Sequence, residues 1–285
     1  MTAPFARDLC GYRRNGNPST SDNNDPLSIE LGHALFRHLE VPAETPERTG
    51  VGSLMEARTA VHLCSLRPDL VIATSRRALE FAQYAHLAVF RDFTRAYRGP
   101  SELLQERYER LAQRIDDPAV RQLLEMAIAA ERQSRRDHEL VQQLVGTMPE
   151  ESLLKIDVTV AEPRLPSRLL VALSSKWSLR TDRAQDCISQ GSKLVSLRRG
   201  RMPHYAVLTM EPRPAMLRLI ASGSGSVDCV YHLALPELRI AAQELEQKRG
   251  KGSWKPRTDL ERMVAQGRVR DYDELVAEVL DLPSA

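Results

Sequence analysis

The hydrophobic pattern changes character near residue 150, and this change constrains the fold more than any other feature. Residues 101–145 are rich in Leu, Ala, Glu, Arg and Gln, which predicts long amphipathic helices. The chain that follows has β-like runs at 153–161, 168–177, 204–211, 216–223 and 227–235, with a helical pattern at 182–197 between the second and third. Strands interleaved with helices are typical of an α/β sandwich. We therefore predict an α/β fold with a mixed central β-sheet flanked by helices.

The first hundred residues predict helices around one short strand. Helices are expected at 28–39, 51–66 and 76–97, with a strand at 70–73. Near the other end of the sequence, further helices are expected at about 235–248 and 271–281. Residues 13–27 are polar and turn-rich, so we expect 1–27 to form a flexible N-terminal arm. The whole chain, 1–285, is interpreted as a single domain with a helical segment at 101–150 and a core at 151–235.

Composition narrows the class of protein without identifying it. Among 285 residues, 42% are hydrophobic and 27% charged, the balance of an ordinary globular protein. The net charge of +2 means that any binding to nucleic acid must depend on a local basic surface. The four cysteines show no CxxC pairing, and no segment has the apolar character of a signal peptide or a membrane span. We expect reduced thiols, no membrane partner and a cytoplasmic, prokaryotic location.

An aspartate and a lysine on successive strand candidates suggest phosphodiester hydrolysis. Asp157 lies in one candidate, Lys176 ends the next, and sixteen residues separate Asp157 from Ser174. Two adjacent strands can bring the carboxylate and the ammonium to one end of a sheet. A carboxylate can hold a divalent ion that polarises a phosphate, and a lysine can offset charge in the transition state. The spacing alone is also compatible with an edge-strand aspartate and a solvated lysine.

A charged cluster follows at the predicted boundary between strand and helix. Arg180, Asp182 and Arg183 occupy the start of the helical pattern, where side chains project from a helix N-terminus. Arginine donates two hydrogen bonds to the major-groove edge of guanine, and aspartate accepts one from the amino group of cytosine. The cluster therefore suits a row of G·C pairs, although it is also what a solvated helix cap looks like.

The segment SSKWSLRTDRAQD, at 174–186, resembles the core of the NgoMIV-like restriction endonucleases, a CCGG-cutting branch of the PD-(D/E)xK nucleases. The resemblance continues through 200–214 and 224–238, and weaker matches occur at 53–56 and 83–87. It implies the restriction-endonuclease-like fold and Mg²⁺-dependent cleavage of double-stranded DNA, with up to two ions per active site. It also implies a four-base 5′-CCGG overhang.

The resemblance implies roles for individual residues. Asp157 matches the metal-binding strand aspartate, Ser174-Ser175-Lys176 matches an S-x-K signature with Lys176 as the catalytic lysine, and Glu56 matches a helix glutamate that supports the metal centre. The catalytic set is therefore Asp157, Ser174, Lys176 and Glu56, and the metal set is Asp157, Glu56, Ser175, Asp186 and Gln190. Arg180, Asp182 and Arg183 match the element that reads CCGG.

Two departures from the family pattern concern the metal site. The family places a second glutamate fourteen residues beyond the lysine, where this chain has Gln190. Asp186 lies four residues earlier, on the same face of a helix, and our hypothesis is that it replaces or partly restores that carboxylate. Asp186 is equally well interpreted as a solvated acid in the first turns of the helix. The spacer after Asp157 is also shorter than in relatives, which need not move the strands that it joins.

The base pair flanking CCGG is less constrained. Relatives use an arginine after the E-P-x-P turn, where this chain has Met216. Arg213 and Arg218 are neighbouring candidates for DNA recognition, and Asp22 and Asn23 in the N-terminal loop are weaker ones. GCCGGC is the best guess for the site, with RCCGGY and ACCGGT as alternatives.

A palindromic site implies a two-fold symmetric homodimer, and the resemblance suggests a homotetramer of two such dimers, with a cognate DNA methyltransferase as functional partner. Gln190 motivates an alternative, a catalytically weak or inactive CCGG-specific DNA-binding protein. A helical interaction protein with a coincidental motif is the third hypothesis, and absence of specific DNA binding would favour it.

Overall fold

The structure is a computed structural model that describes residues 2–89, 92, 96, 102–147, 154–222, 225–250 and 252–283. The chain divides into two compact units, Met1–Ala85 with Leu153–Ala285, and His86–Ser152. The second unit includes the helical segment expected at 101–150, whose described helices pack on each other. Among the described residues, no helix is both long enough and apolar enough to cross a membrane.

A six-stranded mixed sheet forms the centre of the first unit, in the order β1 to β6 along the chain. Its strands are β1 (Val71–Arg77), β2 (Lys155–Ala161), β3 (Leu169–Lys176), β4 (His204–Thr209), β5 (Cys229–His232) and β6 (Val269–Asp271). β1, β2 and β3 run antiparallel, whereas β3 to β6 run parallel. The mixed α/β sheet confirms the predicted fold class.

The described helices are α1 (Ala6–Leu9), α2 (Pro26–His38), α3 (Val51–Leu66), α4 (Glu102–Ala112), α5 (Pro118–Thr147), α6 (Thr181–Leu197), α7 (Pro214–Ala221), α8 (Leu235–Lys248), α9 (Lys255–Ala265) and α10 (Tyr272–Leu280). In the second unit, α4 packs against α5.

Helices cover the sheet because its parallel half is apolar on both faces. Every residue of β5 and all but the first of β4 are buried, as expected for parallel strands between two helical layers. Parallel neighbours need crossover connections, and α6 joins β3 to β4 while α7 joins β4 to β5. The carboxyl ends of these strands therefore lie at one edge of the sheet, where Lys176, Thr209 and His232 stand in one row.

The antiparallel half brings two further residues to this edge. β2 runs opposite to β3, so the beginning of β2 lies beside the end of β3. α3 packs against β1, β2 and β3 and thereby places its own residues over these strands. Asp157 and Glu56 are positioned near Lys176 in this way.

The expected flexible N-terminal arm is wrong as a description of residues 2–25. Phe5, Leu9, Ser19, Thr20 and Ser21 are all buried. Thr20 Oγ1 donates to the main-chain oxygen of Met210 at 2.5 Å. Asp25 accepts from Leu27 N at 3.0 Å and Ser28 N at 3.3 Å, so the segment ends as the N-cap of α2. Polar residues are packed here because their hydroxyl and carboxylate groups have main-chain partners.

Two other expectations are wrong. The run at 216–223, predicted as a strand, forms most of α7, since the parallel neighbours β4 and β5 need a crossover. The helix predicted from residue 76 begins as the end of β1 and continues as 3₁₀ turns at Ala78–Glu80 and Ala85–Leu87. Most of 90–97 lies outside the described residues. The sequence patterns do not predict α1, α9 or β6.

Candidate active site

Asp157 and Lys176 form an ion pair at the sheet edge. Oδ2 of Asp157 accepts hydrogen bonds from Lys176 Nζ at 3.1 Å, Ser175 N at 2.8 Å and Ser174 Oγ at 3.3 Å. The side chains of Asp157 and Lys176 are 22% and 24% exposed, so the pair is accessible from solvent but held by the strand beside it. Three predicted site residues of β3 thus converge on one carboxylate oxygen.

The charges of Asp157 and Lys176 act on the nearby carboxyl group of Glu56. The side chain projects from α3 and is half-buried. Burial raises the pKa of Glu56, the negative charge of Asp157 raises it further, and Lys176 and Lys155 act in the opposite direction. Two carboxylates that repel each other in a partly buried site are the arrangement that a cation stabilises.

The donor set fits a hard divalent cation bound with few protein ligands. Asp157 and Glu56 supply carboxylate oxygens, and the buried Ser175 Oγ has no hydrogen-bond partner within the described part of the chain. Mg²⁺ is commonly held by one or two carboxylates and keeps several waters. The described residues contain no group of three or more His, Cys, Asp and Glu side chains that could hold a metal. Asp186 is therefore not brought together with Asp157 and Glu56; it lies exposed on α6.

Gln190 has a defined structural role. Its Nε2 donates to Lys155 O on β2 at 2.6 Å, and its Oε1 accepts from the buried Tyr205 hydroxyl at 3.0 Å. Both ends of the amide are thus occupied by neighbours. A carboxylate at this position would keep the bond to Tyr205 and place an acceptor against the Lys155 carbonyl.

The predicted reading residues surround the N-terminus of α6. Arg180 is its N-cap, and Arg180, Asp182 and Arg183 are all exposed. Arg180 and Arg183 line a groove of about 660 Å³ that is also lined by Ser175 and Lys176. A second pocket, of about 540 Å³, is lined by residues that include Asp22, Arg180, Asp182 and Met216. The groove is therefore lined both by Lys176, the lysine of the ion pair, and by the exposed arginines at the start of α6.

The candidates for the outer base pair are differently placed. Arg213 is 7% exposed, and its guanidinium contacts Asp22, Asp25, Glu211 and the carbonyl of Leu179. Arg218 is 45% exposed, with a contact of 3.6 Å to Asp259. Asp22 and Asn23 line the groove. The Asn24 N–H lowers the pKa of Asp22, and Arg213 and Arg180 act in the same direction.

Glu211 was missed by the sequence analysis. Its carboxylate is fully buried and accepts from Leu179 N at 2.7 Å and from Arg213 Nε at 2.6 Å. Burial raises the pKa of Glu211, and the bonds from Arg213 and from Leu179 N oppose that rise. The only available signal was the acidic residue directly after the apolar strand pattern, in the segment MEPRP.

A mixed sheet that carries an aspartate–lysine pair where its central strands meet belongs to the restriction-endonuclease-like class of folds. The family model described as NgoMIV restriction enzyme matches residues 57–280, which include Asp157, Lys176 and Arg180. The chain belongs to the NgoMIV restriction enzyme family.

A curated relative, the type II restriction enzyme NgoMIV of Neisseria gonorrhoeae, is 49% identical over 77 residues. That match covers 27% of this chain and 27% of the relative, so it spans about a quarter of either protein.

Proposed function

We propose that this protein is a type II restriction endonuclease that hydrolyses phosphodiester bonds of double-stranded DNA at a palindromic site containing CCGG, with Mg²⁺ as cofactor. One observation supports this proposal above the others. The Asp157–Lys176 ion pair is at 3.1 Å, and its lysine lines the same groove as Arg180 and Arg183. The proposed catalytic lysine and the arginines suited to base reading thus face one groove, as an enzyme that cuts within its own recognition sequence requires.

The residues proposed to bind the cation and cut the DNA have complementary roles. Asp157 and Glu56 would hold the cation, which when bound polarises a phosphate and lowers the pKa of a water. Lys176 donates to Asp157, and this bond holds its ammonium at the groove, where it can offset charge on the phosphate or orient the attacking water. Ser174 and the Ser175 N–H hold the Asp157 carboxylate in place from β3.

The residues proposed to read the bases support a recognition site that contains CCGG. Arg180 and Arg183 can each donate two hydrogen bonds to guanine, and Asp182 can accept from a cytosine amino group. The full site proposed is GCCGGC, cut to leave a 5′-CCGG overhang. Arg213 makes four protein contacts where it stands, so Arg218, Asp22 and Asn23 are the accessible candidates for the outer pair.

The assembly proposed is a two-fold dimer, or a tetramer of two dimers, acting beside a cognate DNA methyltransferase. A palindrome presents two identical half-sites, which a two-fold axis matches. Large apolar side chains are exposed on α5, among them Leu123 at 65%, Met126 at 62% and Leu140 at 60%. Apolar side chains exposed along one helical element are suited to contact with another copy.

A second candidate is a catalytically weak or inactive CCGG-specific DNA-binding protein. Gln190 favours it, because this amide binds Lys155 O and the Tyr205 hydroxyl and supplies no negative charge. The accessible arginines at the start of α6 would be retained in such a protein.

Digestion of a sequenced plasmid with purified protein and Mg²⁺, followed by mapping of the ends, tests the proposal. We expect cuts at CCGG-containing sites with 5′ four-base overhangs, and no cuts in EDTA. Binding of a CCGG duplex in Ca²⁺ without cleavage in Mg²⁺ or Mn²⁺ would favour the second candidate. Absence of any sequence-specific binding would refute both.

A further inference from the structure

Leu179, directly before Arg180, has both main-chain groups bound by one buried ion pair. Its N–H donates to Glu211 Oε2 at 2.7 Å, and its carbonyl accepts from Arg213 Nη2 at 2.6 Å. Glu211 and Arg213 are themselves joined, with Nε to Oε1 at 2.6 Å. The ion pair therefore clamps the turn that leads into α6.

Glu211 is fixed to the core of the sheet. Its N–H donates to Thr209 Oγ1 at 3.1 Å, and its carbonyl lies 3.2 Å from Nε2 of the fully buried His232. Nδ1 of His232 accepts from Ala234 N at 3.1 Å, which leaves Nε2 as the donor to Glu211. Burial lowers the pKa of His232 to about 4, so this histidine is neutral at physiological pH. The clamp is thus anchored to the ends of β4 and β5.

Arg213 extends the same clamp to the N-terminal segment. Its Nη1 lies 3.2 Å from Asp22 Oδ2 and 3.3 Å from Asp25 Oδ2. Asp22 lines the groove together with Arg180, and Asp25 caps α2. One guanidinium therefore ties two walls of the groove to each other.

We propose that Glu211 and Arg213 are positioning residues for sequence discrimination, which hold Arg180 and the Asp22 segment at the spacing that reading a base pair requires. This inference rests on the proposed function. Hydrogen bonds to base edges are made over a narrow range of about 2.7–3.2 Å, so a small shift of the turn would weaken them. A buried ion pair is seldom more stabilising than apolar residues of the same volume, so a role in fixing one conformation accounts for it better than stability does. Arg213 then contributes to DNA recognition without touching a base.

Two conservative variants test the inference. In Glu211→Gln, the carboxamide has one acceptor oxygen where the carboxylate has two, so its NH₂ must face either Leu179 N–H or Arg213. In Arg213→Lys, the charge for Glu211 is kept, but one ammonium cannot contact Glu211, Leu179 and Asp22 as a planar fork does. The measurement is the ratio of the Kd for a CCGG duplex to the Kd for a duplex with one inner base pair changed, in Ca²⁺. We expect each variant to reduce the preference for CCGG by about tenfold or more.

The matched control is Asp228→Asn, which removes a half-exposed carboxylate bound to His204, at the opposite ends of the strands. It should lower the melting temperature and leave the binding ratio unchanged. The salt dependence of binding should stay as in the unmodified protein for all variants, because phosphate contacts are retained.

Unchanged discrimination in folded Glu211→Gln and Arg213→Lys would overturn the inference. Failure of both variants to fold would overturn it too, since the pair would then serve the fold itself. An unmodified protein without preference for CCGG would instead refute the proposed function.

Discussion

Asp157→Asn should reduce DNA cleavage while leaving DNA binding and folding largely intact. The side chain keeps its size, and an amide oxygen can still accept from Ser175 N, which now lies 2.8 Å from the carboxylate. The negative charge that pairs with Lys176 and that a divalent cation requires is lost. We expect DNA cleavage to be nearly abolished while the CCGG duplex is still bound.

The cost in stability should be small. The Asp157–Lys176 pair at 3.1 Å is about three-quarters buried, so it lies between an exposed pair, at about 0–1 kcal/mol, and a hydrogen bond to a charged group, at about 1.5–3 kcal/mol. Burial is the main cause of the raised pKa of Glu56, and loss of the Asp157 charge removes the repulsion that adds to it. The net change in the free energy of unfolding should be about 1 kcal/mol, a fall of about 2–4 °C in Tm.

The effect on the cleavage rate should be far larger than the effect on stability. Removing one preorganised charge-stabilising group typically costs about 3–4 kcal/mol in the transition state, or about 10²–10³ in rate. Single-turnover cleavage of a CCGG duplex at saturating Mg²⁺ measures this loss, anisotropy in Ca²⁺ measures binding, and calorimetry measures Tm.

Glu162→Gln is the matched control. Glu162 directly follows the other end of β2 and pairs with Arg168 at 2.5 Å with similar exposure, 27% and 33%. Its loss should lower stability comparably and leave cleavage intact. Asp157→Asn cleaving within threefold of the unmodified protein, or Glu162→Gln losing as much activity, would refute the reasoning.

Three further changes have defined outcomes. Arg180→Ala should weaken binding of the CCGG duplex by about 1–3 kcal/mol and relax the preference at one base pair, in competition binding; equal weakening on all sequences would contradict base reading. Gln190→Glu should destabilise the protein by about 1–3 kcal/mol in thermal unfolding, because the donor to Lys155 O at 2.6 Å is lost; a large gain in Mg²⁺-dependent cleavage would favour the catalytically weak alternative. Burial acts to lower the pKa of His204, but the bond to Asp228 and other neighbours raise it to about 10. The stabilisation that comes from protonated His204 should be fully present below pH about 6.5 and lost as the pH rises through 10. The difference in the free energy of unfolding between unmodified protein and His204→Gln, measured in urea, should therefore shrink over that range.

The alternation of strand and helix patterns predicted most of the sheet, because buried parallel strands are long apolar runs. The exception, 216–223, shows the limit of this signal. A run of eight mostly apolar residues is compatible with a strand or a buried helix, and local periodicity does not decide between them. The decision comes from topology, since β4 and β5 are parallel neighbours and need a crossover. That information lies in strand pairing, which no single window of sequence contains.

The N-terminal segment shows a second limit. Ser19, Thr20 and Ser21 suggested an unpacked loop by composition, yet they are buried. Their environment depends on partners far along the chain, such as Met210 O for Thr20. A residue whose hydroxyl donates to a buried acceptor can itself be buried, and that acceptor is identified only from the fold.

The sequence predicted part of the candidate site. Spacing on adjacent strands placed Asp157 and Lys176 together, because neighbouring strands have a simple geometry. Glu56 came from the family resemblance, since α3 lies far away in sequence. Glu211 was missed because a buried acid looks like any other acid at the end of a strand pattern. Its importance depends on donors from Leu179 and Arg213, which only the structure brings together.

The departure at Gln190 changes what holds α6 in place. An acid here would face the carbonyl of Lys155 and would need a cation or a proton to stay there. The amide instead donates to that carbonyl and accepts from Tyr205, so α6 is tied to β2 and β4 by neutral hydrogen bonds. These bonds do not depend on a divalent ion. The start of α6, with Arg180 and Arg183, should therefore keep its position in metal-free protein, and CCGG binding should persist in EDTA where cleavage does not.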